Sequence, residues 1–416
     1  MSSLILPRPS THPDLYHGKY VASMFAETTR DLWYDPDDAS TLYQDFAGSI
    51  PVTNEGQSVG LVMHASKRVL FRYTKSDLLN TDLWRGVGGP VASLNSDGSV
   101  RITRNTTTWY CGFGPRAGKI TIPPGCAMRI KISARSFGNS YILSGEPYAN
   151  WRDGSSVLHF PISNNSISSM DRVITNRTGG TIVSTEHPFP TGLGFYMSAP
   201  SSAGLPASDY IDVYDFEVTG YLPPAYQMTA TSRPIYRRER SGYLDFDGVD
   251  DWLLTGMLDF SNTNKATILA GLRKLNSVGQ FSHVVRLGTD QEGANGFYLA
   301  APSISTQYNY SSYGSVQAFA NTQDSSYAAP HSAVVTAYSD VSRPLVGMRV
   351  NGKLVSENQA SQGSGMYSNR PVYIGRANNS PFRGRLSGLI VRGSLTDEFL
   401  LSHAERYLAH KTGVTL

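Results

Sequence analysis

What this chain has little of sets the first bounds. It has only two cysteines, Cys111 and Cys126, in 416 residues, too few for a disulfide framework. They flank "GFGPRAGKITIPPG", which reads as strand, loop, strand. A bridge across it is geometrically open, but two buried thiols in a protein made in a reducing cytoplasm is the plainer reading. Charge is scarce as well, at 17%, and a net charge of +3 is too small to argue for a nucleic-acid partner. No apolar run approaches membrane-spanning length, so no membrane insertion is expected. The opening "MSSLILPRPSTHPDLY" lacks a basic stretch followed by an apolar one, so no signal peptide is expected.

Gly (39) and Tyr (24) are abundant. With little charge and much Ser and Thr, that composition favours sheet and turns over helix bundles. The length allows two or three domains. Residues 1–29 read as an arm: Pro7, Pro9 and Pro13 forbid regular helix early, and "GKYVASMFAETTRDLW" reads as a short helix or a strand. Its Leu4, Ile5, Leu6, Tyr16 and Phe25 need a surface to pack on, either another chain or the body. Residues 30–78 hold short apolar pieces between turn residues. From about 79 to 224 the chain alternates strongly ("SVRITRN", "AMRIKISARSF", "YIDVYDFEVTGYL") and ends at Pro223-Pro224, which predicts a β-sandwich or jelly roll closed by a linker. Residues 225–416 alternate again. In "MRVNGKLV", Asn351-Gly352 predicts a type I′ hairpin. Only the end reads as helix, with Thr396 as N-cap, Leu400, Ala404, Tyr407 and Leu408 on one apolar face, and Gly413 as the stop.

Several motifs invite chemistry. "YLDFDGVDDWLLTG" packs Asp245, Asp247, Asp250 and Asp251 into seven residues. Period two places Asp245 and Asp247 on one strand face with Phe246 inward, and Asp247-Gly248 is a turn signal. The segment lacks the spaced oxygens and terminal Glu of an EF-hand, so a polar turn is the leading reading, with Asp247 and Asp250 kept as calcium candidates and no other cofactor expected. "GQSVG" (56–60) matches a nucleophile elbow around Ser58, but a turn precedes it where a buried strand is required. His403 and His410, two helical turns apart, read as packing or solvated groups, not as a zinc pair. "RRER" (237–240) reads as a solvated connector, with a basic binding patch as the alternative. "YNYSSYG", carrying Tyr308, Tyr310 and Tyr313, and "EPYANWRDG", carrying Tyr148 and Trp151, set amphipathic rings among small polar residues. Such rings stack on sugars or bury against a neighbouring subunit, or they merely pack at the surface.

"LDFDGVDDWL", "RVNGKLV", "YIGRANNSPFRGRLSGLIVRG" and "LTDEFLLSHAERYLAHKTGV" together resemble concanavalin A-like, laminin-G-like jelly rolls, in the variety carried by tailed bacteriophages and prophages. That variety runs through Trp-Tyr-Asp, Asp-x-Ala-Gly-x-x-Pro-Val-Thr and Arg-Pro-x-Tyr before the Phe-Asp-Gly strand. Here "LWYDPDD", "QDFAGSIPVT" and "SRPIYRRE" stand in that order, but residues 79–224 intervene. The expected architecture is therefore all-β: a lectin-like sandwich built from 30–78 and 225–416, a second, carbohydrate-binding-module-like sandwich inserted at 79–224, an N-terminal arm and a C-terminal helix. The resemblance implies a non-enzymatic virion protein, assembled in the host cytoplasm, serving as head, neck or tail decoration or as a fibre component. It implies docking on other virion proteins through the arm, homo-oligomerisation and a host-surface glycan as ligand. A receptor-binding adhesin is the alternative and a polysaccharide depolymerase the last choice.

Overall fold

Alternating apolar and polar side chains make a strand that can bury one face, and two such sheets must bury those faces against each other. The computed structural model describes residues 13–105, 110–138, 141–145, 158–184, 193–198, 209–275, 282–288, 294–302, 306–322, 324–377 and 379–416. Across them the chain is nearly all β, as the alternation predicts. The first sandwich pairs an eight-stranded sheet with a nine-stranded one. The eight-stranded sheet runs Ile235–Arg238, Gly242–Asp247, Arg383–Arg392, Lys265–Lys274, His331–Asp340, Leu345–Val350, Lys353–Asn358, with Leu32–Tyr34 also on Arg383–Arg392. The nine-stranded sheet runs Leu42–Tyr43, Leu61–Val62, Ala225–Tyr226, Leu253–Thr255, Val372–Ile374, His283–Leu287, Gly296–Ala300, Asn309–Tyr313, Gln317–Asn321. Leu244, Ile268 and Val335 from one sheet meet Val285, Leu299 and Ile374 from the other in a single core.

The second sandwich interrupts the first. Its six-stranded sheet contains Ala127–Phe137 paired with both Ser168–Thr175 and Tyr210–Tyr221. Its five-stranded sheet includes Tyr110–Pro115 and Leu193–Ser198. Trp84, Phe195, Phe216 and Val218 fill the space between. The strand Val69–Thr74 pairs with Tyr210–Tyr221, so the chain has already joined this second unit by Val69. The chain leaves the first sandwich after Leu61–Val62 and returns at Ala225–Tyr226, and those two strands pair directly, Val62 opposite Ala225. The returning "SRPIYRRE" is bonded to the segment around "GQSVG": the Val59 amide donates to the Pro234 carbonyl at 2.8 Å, and the Gly56 amide to the Tyr236 carbonyl at 2.8 Å. Adjacent exit and return strands let a whole domain be inserted without disturbing its host's sheet.

Helix α2 (Glu398–Thr412) closes the chain and ends at Gly413, whose φ of 73° suits glycine. Its N-cap is Asp397 and not Thr396. The Asp397 carboxylate accepts from the Leu400 amide at 3.0 Å, whereas the Thr396 amide donates to the Thr267 hydroxyl and its own hydroxyl accepts from Arg392. Helix α1 (Pro13–Ser23) begins earlier than the prolines led us to expect, because proline is tolerated in the first turn, where its missing N–H has no helical partner to lose. Val21, Met24 and Phe25 are buried with Trp33, Leu401, Tyr407 and Leu408, so this part of the arm packs on its own body. The Asn351-Gly352 hairpin is as expected, with φ of 49° and 74°.

Candidate functional site

The acidic turn carries the chain from the eight-stranded sheet to the nine-stranded one. Phe246 points into the core, as period two predicts, while Asp245 and Asp247 point out. Asp247 Oδ1 accepts from the backbone amides of Val249, Asp250 and Asp251, the nearest at 2.7 Å, and Asp251 Oδ2 accepts from the Asp247 amide at 3.0 Å. Asp250 accepts from the Ser232 hydroxyl at 2.8 Å. These bonds make the segment a self-capped turn. One carboxylate oxygen from each of Asp247, Asp250 and Asp251 lies within 4.8 Å of the others. The two calcium candidates thus stand together, with Asp251 as a third that the sequence reading left out. Bound through one oxygen each, three carboxylates supply half of a calcium shell at most, and backbone carbonyls and water would have to complete it. Burial, followed by the nearby carboxylates of Asp247, Asp250 and Asp245, pushes the Asp251 carboxyl up to about 6, against the pull of the Asp247 amide.

The tyrosines of "YNYSSYG" do not form one surface patch. They belong to the strand Asn309–Tyr313 and its approach, and alternation sends Tyr308 and Tyr310 inward, where both are wholly buried. The Tyr310 hydroxyl bonds Ser339 Oγ at 2.6 Å, and the Tyr308 hydroxyl bonds His331 Nδ1 at 2.8 Å beneath the Lys274 ammonium, which sits 4.4 Å from the ring centre. A sugar- or subunit-contact role for these two is therefore corrected to a core role. Tyr313, in the outward phase, is half-buried. Tyr148 and Trp151 lie outside the described residues.

The outward phase of the nine-stranded sheet holds what the sequence reading missed. Ladder partners run straight across it: Leu254 opposite Tyr373, Tyr373 opposite Arg286, Arg286 opposite Tyr298, Tyr298 opposite Ser311, Ser311 opposite Phe319. Just before the Leu253–Thr255 strand, the Trp252 ring stacks on Tyr373 with centroids 5.7 Å apart and planes 18° apart, and both rings are half-exposed. The Arg286 guanidinium lies 5.3 Å from the Tyr298 ring centre, and Tyr298 in turn lies 6.3 Å from Tyr313. Burial pushes the Tyr298 hydroxyl up to about 12, so it stays a neutral donor at physiological pH. The far end of this face is covered by the inserted sandwich, where Tyr43, Leu61 and Tyr226 pack against Ala127 and Val173, and the Arg177 guanidinium stands 5.2 Å from the Tyr226 ring centre. At the boundary, Asn369 donates to the Gly179 carbonyl at 2.9 Å. Half-exposed aromatic rings beside a fixed cation suit a ligand with an apolar face and polar edges. The legible signal was small: Trp252 lies close to the acidic turn, and Tyr373 alternates with core Val372 and Ile374.

The remaining sequence candidates have structural roles. Ser58 lies in extended chain bridged to Ile235 and is followed by the strand Leu61–Val62, so it has no strand-to-helix elbow. His403 meets His17, Nδ1 to Nδ1 at 2.8 Å, beneath the stacked Tyr20 ring, which fits packing between the two helices. Cys126 is a buried free thiol, its proton held up to about 12 by burial.

No family model matches the chain, and no curated protein sequence matches it. Among solved structures it is similar to the botulinum neurotoxin serotype G binding domain (8% identity, 42% of this chain and 44% of that chain, TM-score 0.33). It is likewise similar to a SAP-like pentraxin from Limulus polyphemus (12%, 39% and 78%, TM-score 0.31) and to the CBM40 of a Ruminococcus gnavus IT-sialidase (15%, 38% and 95%, TM-score 0.30). The match spans less than half of the toxin domain.

Proposed function

We propose that this chain is a structural component of a tailed-phage particle whose lectin-like sandwich engages a glycan on the outer face of its nine-stranded sheet. The particle role rests on the order of "LWYDPDD", "QDFAGSIPVT" and "SRPIYRRE". The binding role rests on one observation, the parallel, half-exposed Trp252 and Tyr373 rings next to Arg286 and Tyr298. Ring faces accept the C–H face of a sugar, while Arg286 and Tyr298, both buried beside them, hold that face rigid. In this reading the protein assembles in the host cytoplasm as a homo-oligomer and docks on other virion proteins. With residues 13–25 packed on the body, that docking falls to residues 1–12, which lie outside the described residues. Calcium at Asp247, Asp250 and Asp251 belongs to the same reading as a structural ion bracing the turn beside Trp252. A density map of the intact particle tests the structural role, and absence of this chain from purified particles rejects it.

A receptor-binding adhesin is the alternative and a depolymerase the last choice; the latter would use the Asp251 carboxyl, pushed up by burial to about 6, as general acid. Asp251 Oδ2 accepts from the Asp247 amide, and the carboxylates grouped with it, Asp247 and Asp250, belong to the same turn and not to an opposing wall. Release of reducing sugar from host polysaccharide, abolished in Asp251→Asn, would establish it.

A further inference from the structure

The opposite side of the first sandwich carries a different surface. On the eight-stranded sheet, Arg273 and Arg385 are direct ladder partners in adjacent strands. Two guanidiniums so placed repel each other unless something negative lies between them. Arg385 is held by Glu239 at 2.7 Å and stands 4.8 Å from the Tyr243 ring centre, yet its Nε is buried without a hydrogen-bond partner. Arg273 has no acidic partner among the described residues. Both side chains open into a cavity of about 80 Å³ that Arg240, Tyr243, Ser332 and Ser387 also line. Lys411 reaches the same cavity, but Asp35 at 3.0 Å and Asp37 at 3.3 Å already neutralise its ammonium. Glu239 is the acid of the wall, and Arg385 takes it. Asp245, the ladder partner of Arg385 on its other side, stands just outside the cavity, so three guanidiniums share two nearby carboxylates and Arg273 has neither. One water needs roughly 10–15 Å³, so the space takes a group of a few heavy atoms.

We infer that this cleft binds a tetrahedral oxyanion, a phosphate or sulfate group, held between Arg273 and Arg385 with Arg240 beside it. Planar guanidinium forks match the oxygens of such a group, and the Ser332 and Ser387 hydroxyls supply further donors. An oxyanion there would turn the repulsion between Arg273 and Arg385 into two attractive contacts. The "RRER" connector then has a purpose beyond solvation, because its Glu239 and Arg240 form one wall. This inference stands apart from the aromatic face, which lies on the other sheet.

Isothermal titration of inorganic phosphate and of sulfate into the full chain, at constant ionic strength, tests it. The native protein should bind saturably, Arg273→Ala should weaken binding roughly ten-fold, as loss of one charge-assisted contact implies, and Lys353→Ala, an exposed cation elsewhere, should bind as the native does. Arg273→Lys should retain part of the affinity, which keeps the test valid should the alanine variant fold poorly. Glucose 6-phosphate separates the sources: binding tighter than the free ion points to an ester carried on a sugar, and equal binding points to the free ion. Absence of saturable binding by the native protein, or native-like binding by Arg273→Ala, overturns the inference.

Discussion

Trp252 and Tyr373 are far apart in sequence and lie ring to ring, 5.7 Å between centroids and 18° between planes. Neither is needed to fill the core, which Leu253, Val372 and Ile374 supply from the neighbouring positions. A large aromatic pair kept half-exposed on a sheet face forgoes burial that either ring could otherwise contribute. A ligand seated on the pair, as proposed, would complete that burial.

Burial of Tyr308 and Tyr310 predicts a loss of stability on their truncation, with no specific loss of binding. Tyr310→Ala should cost about 3–5 kcal/mol, as deletion of a core aromatic does, and Tyr310→Phe about 1 kcal/mol for its bond to Ser339. Urea melts measure both. A Tyr310→Ala protein as stable as the native would place the ring outside the core.

Asp251 makes stability depend on pH in a direction unusual for a carboxylate. Its proton is held more tightly folded, near 6, than at its ordinary 3.8, so stability falls as pH rises between those values and is level above them. Asp251→Asn should flatten that slope and, in chelator, raise the melting temperature at pH 7 by a few degrees. Melts from pH 3.5 to 7.5 check this, and parallel slopes for variant and native would refute it.

Lys274 gives the opposite trend at higher pH. Its ammonium is wholly buried, bonded to the Gln307 carbonyl at 3.1 Å, and burial lowers it from 10.5 to about 8. The folded chain sheds this proton before the unfolded chain does, so stability rises between pH 8 and 10.5. Lys274→Met should remove that rise, which chemical denaturation across the window would show.

The two sandwiches meet at a close contact that can be broken selectively. Gly125 of the insert has φ of 75°, and a Cβ there would clash with the Leu258 side chain of the host sandwich. Gly125→Ala should cost roughly 1–3 kcal/mol through strain and overpacking and speed proteolysis between the units. Unchanged melting and cleavage would show that the junction yields.

Much of the fold was legible because period two is a strong signal. The inward Phe246, the Asn351-Gly352 hairpin and the β character of residues 79–224 follow from alternation and turn chemistry, whereas their insertion is read from the resemblance. The candidate site was less so. Three tyrosines in seven residues read as one set of amphipathic rings, whereas the strand Asn309–Tyr313 splits them between two faces. The Trp252–Tyr373 pair depends on Leu253–Thr255 lying beside Val372–Ile374, a long-range strand order that local pattern does not encode. The Arg273–Arg385 pairing is hidden for the same reason, because register between distant strands comes from the closed core.

Glycan-array binding of the native protein beside a Trp252→Ala, Tyr373→Ala double variant of equal thermal stability tests the central claim most directly. The account predicts a defined set of bound glycans for the native chain and a loss of roughly ten-fold or more in affinity for the variant, in line with one or two ring contacts. A native protein that binds no glycan, or a variant that binds as the native does, would contradict it.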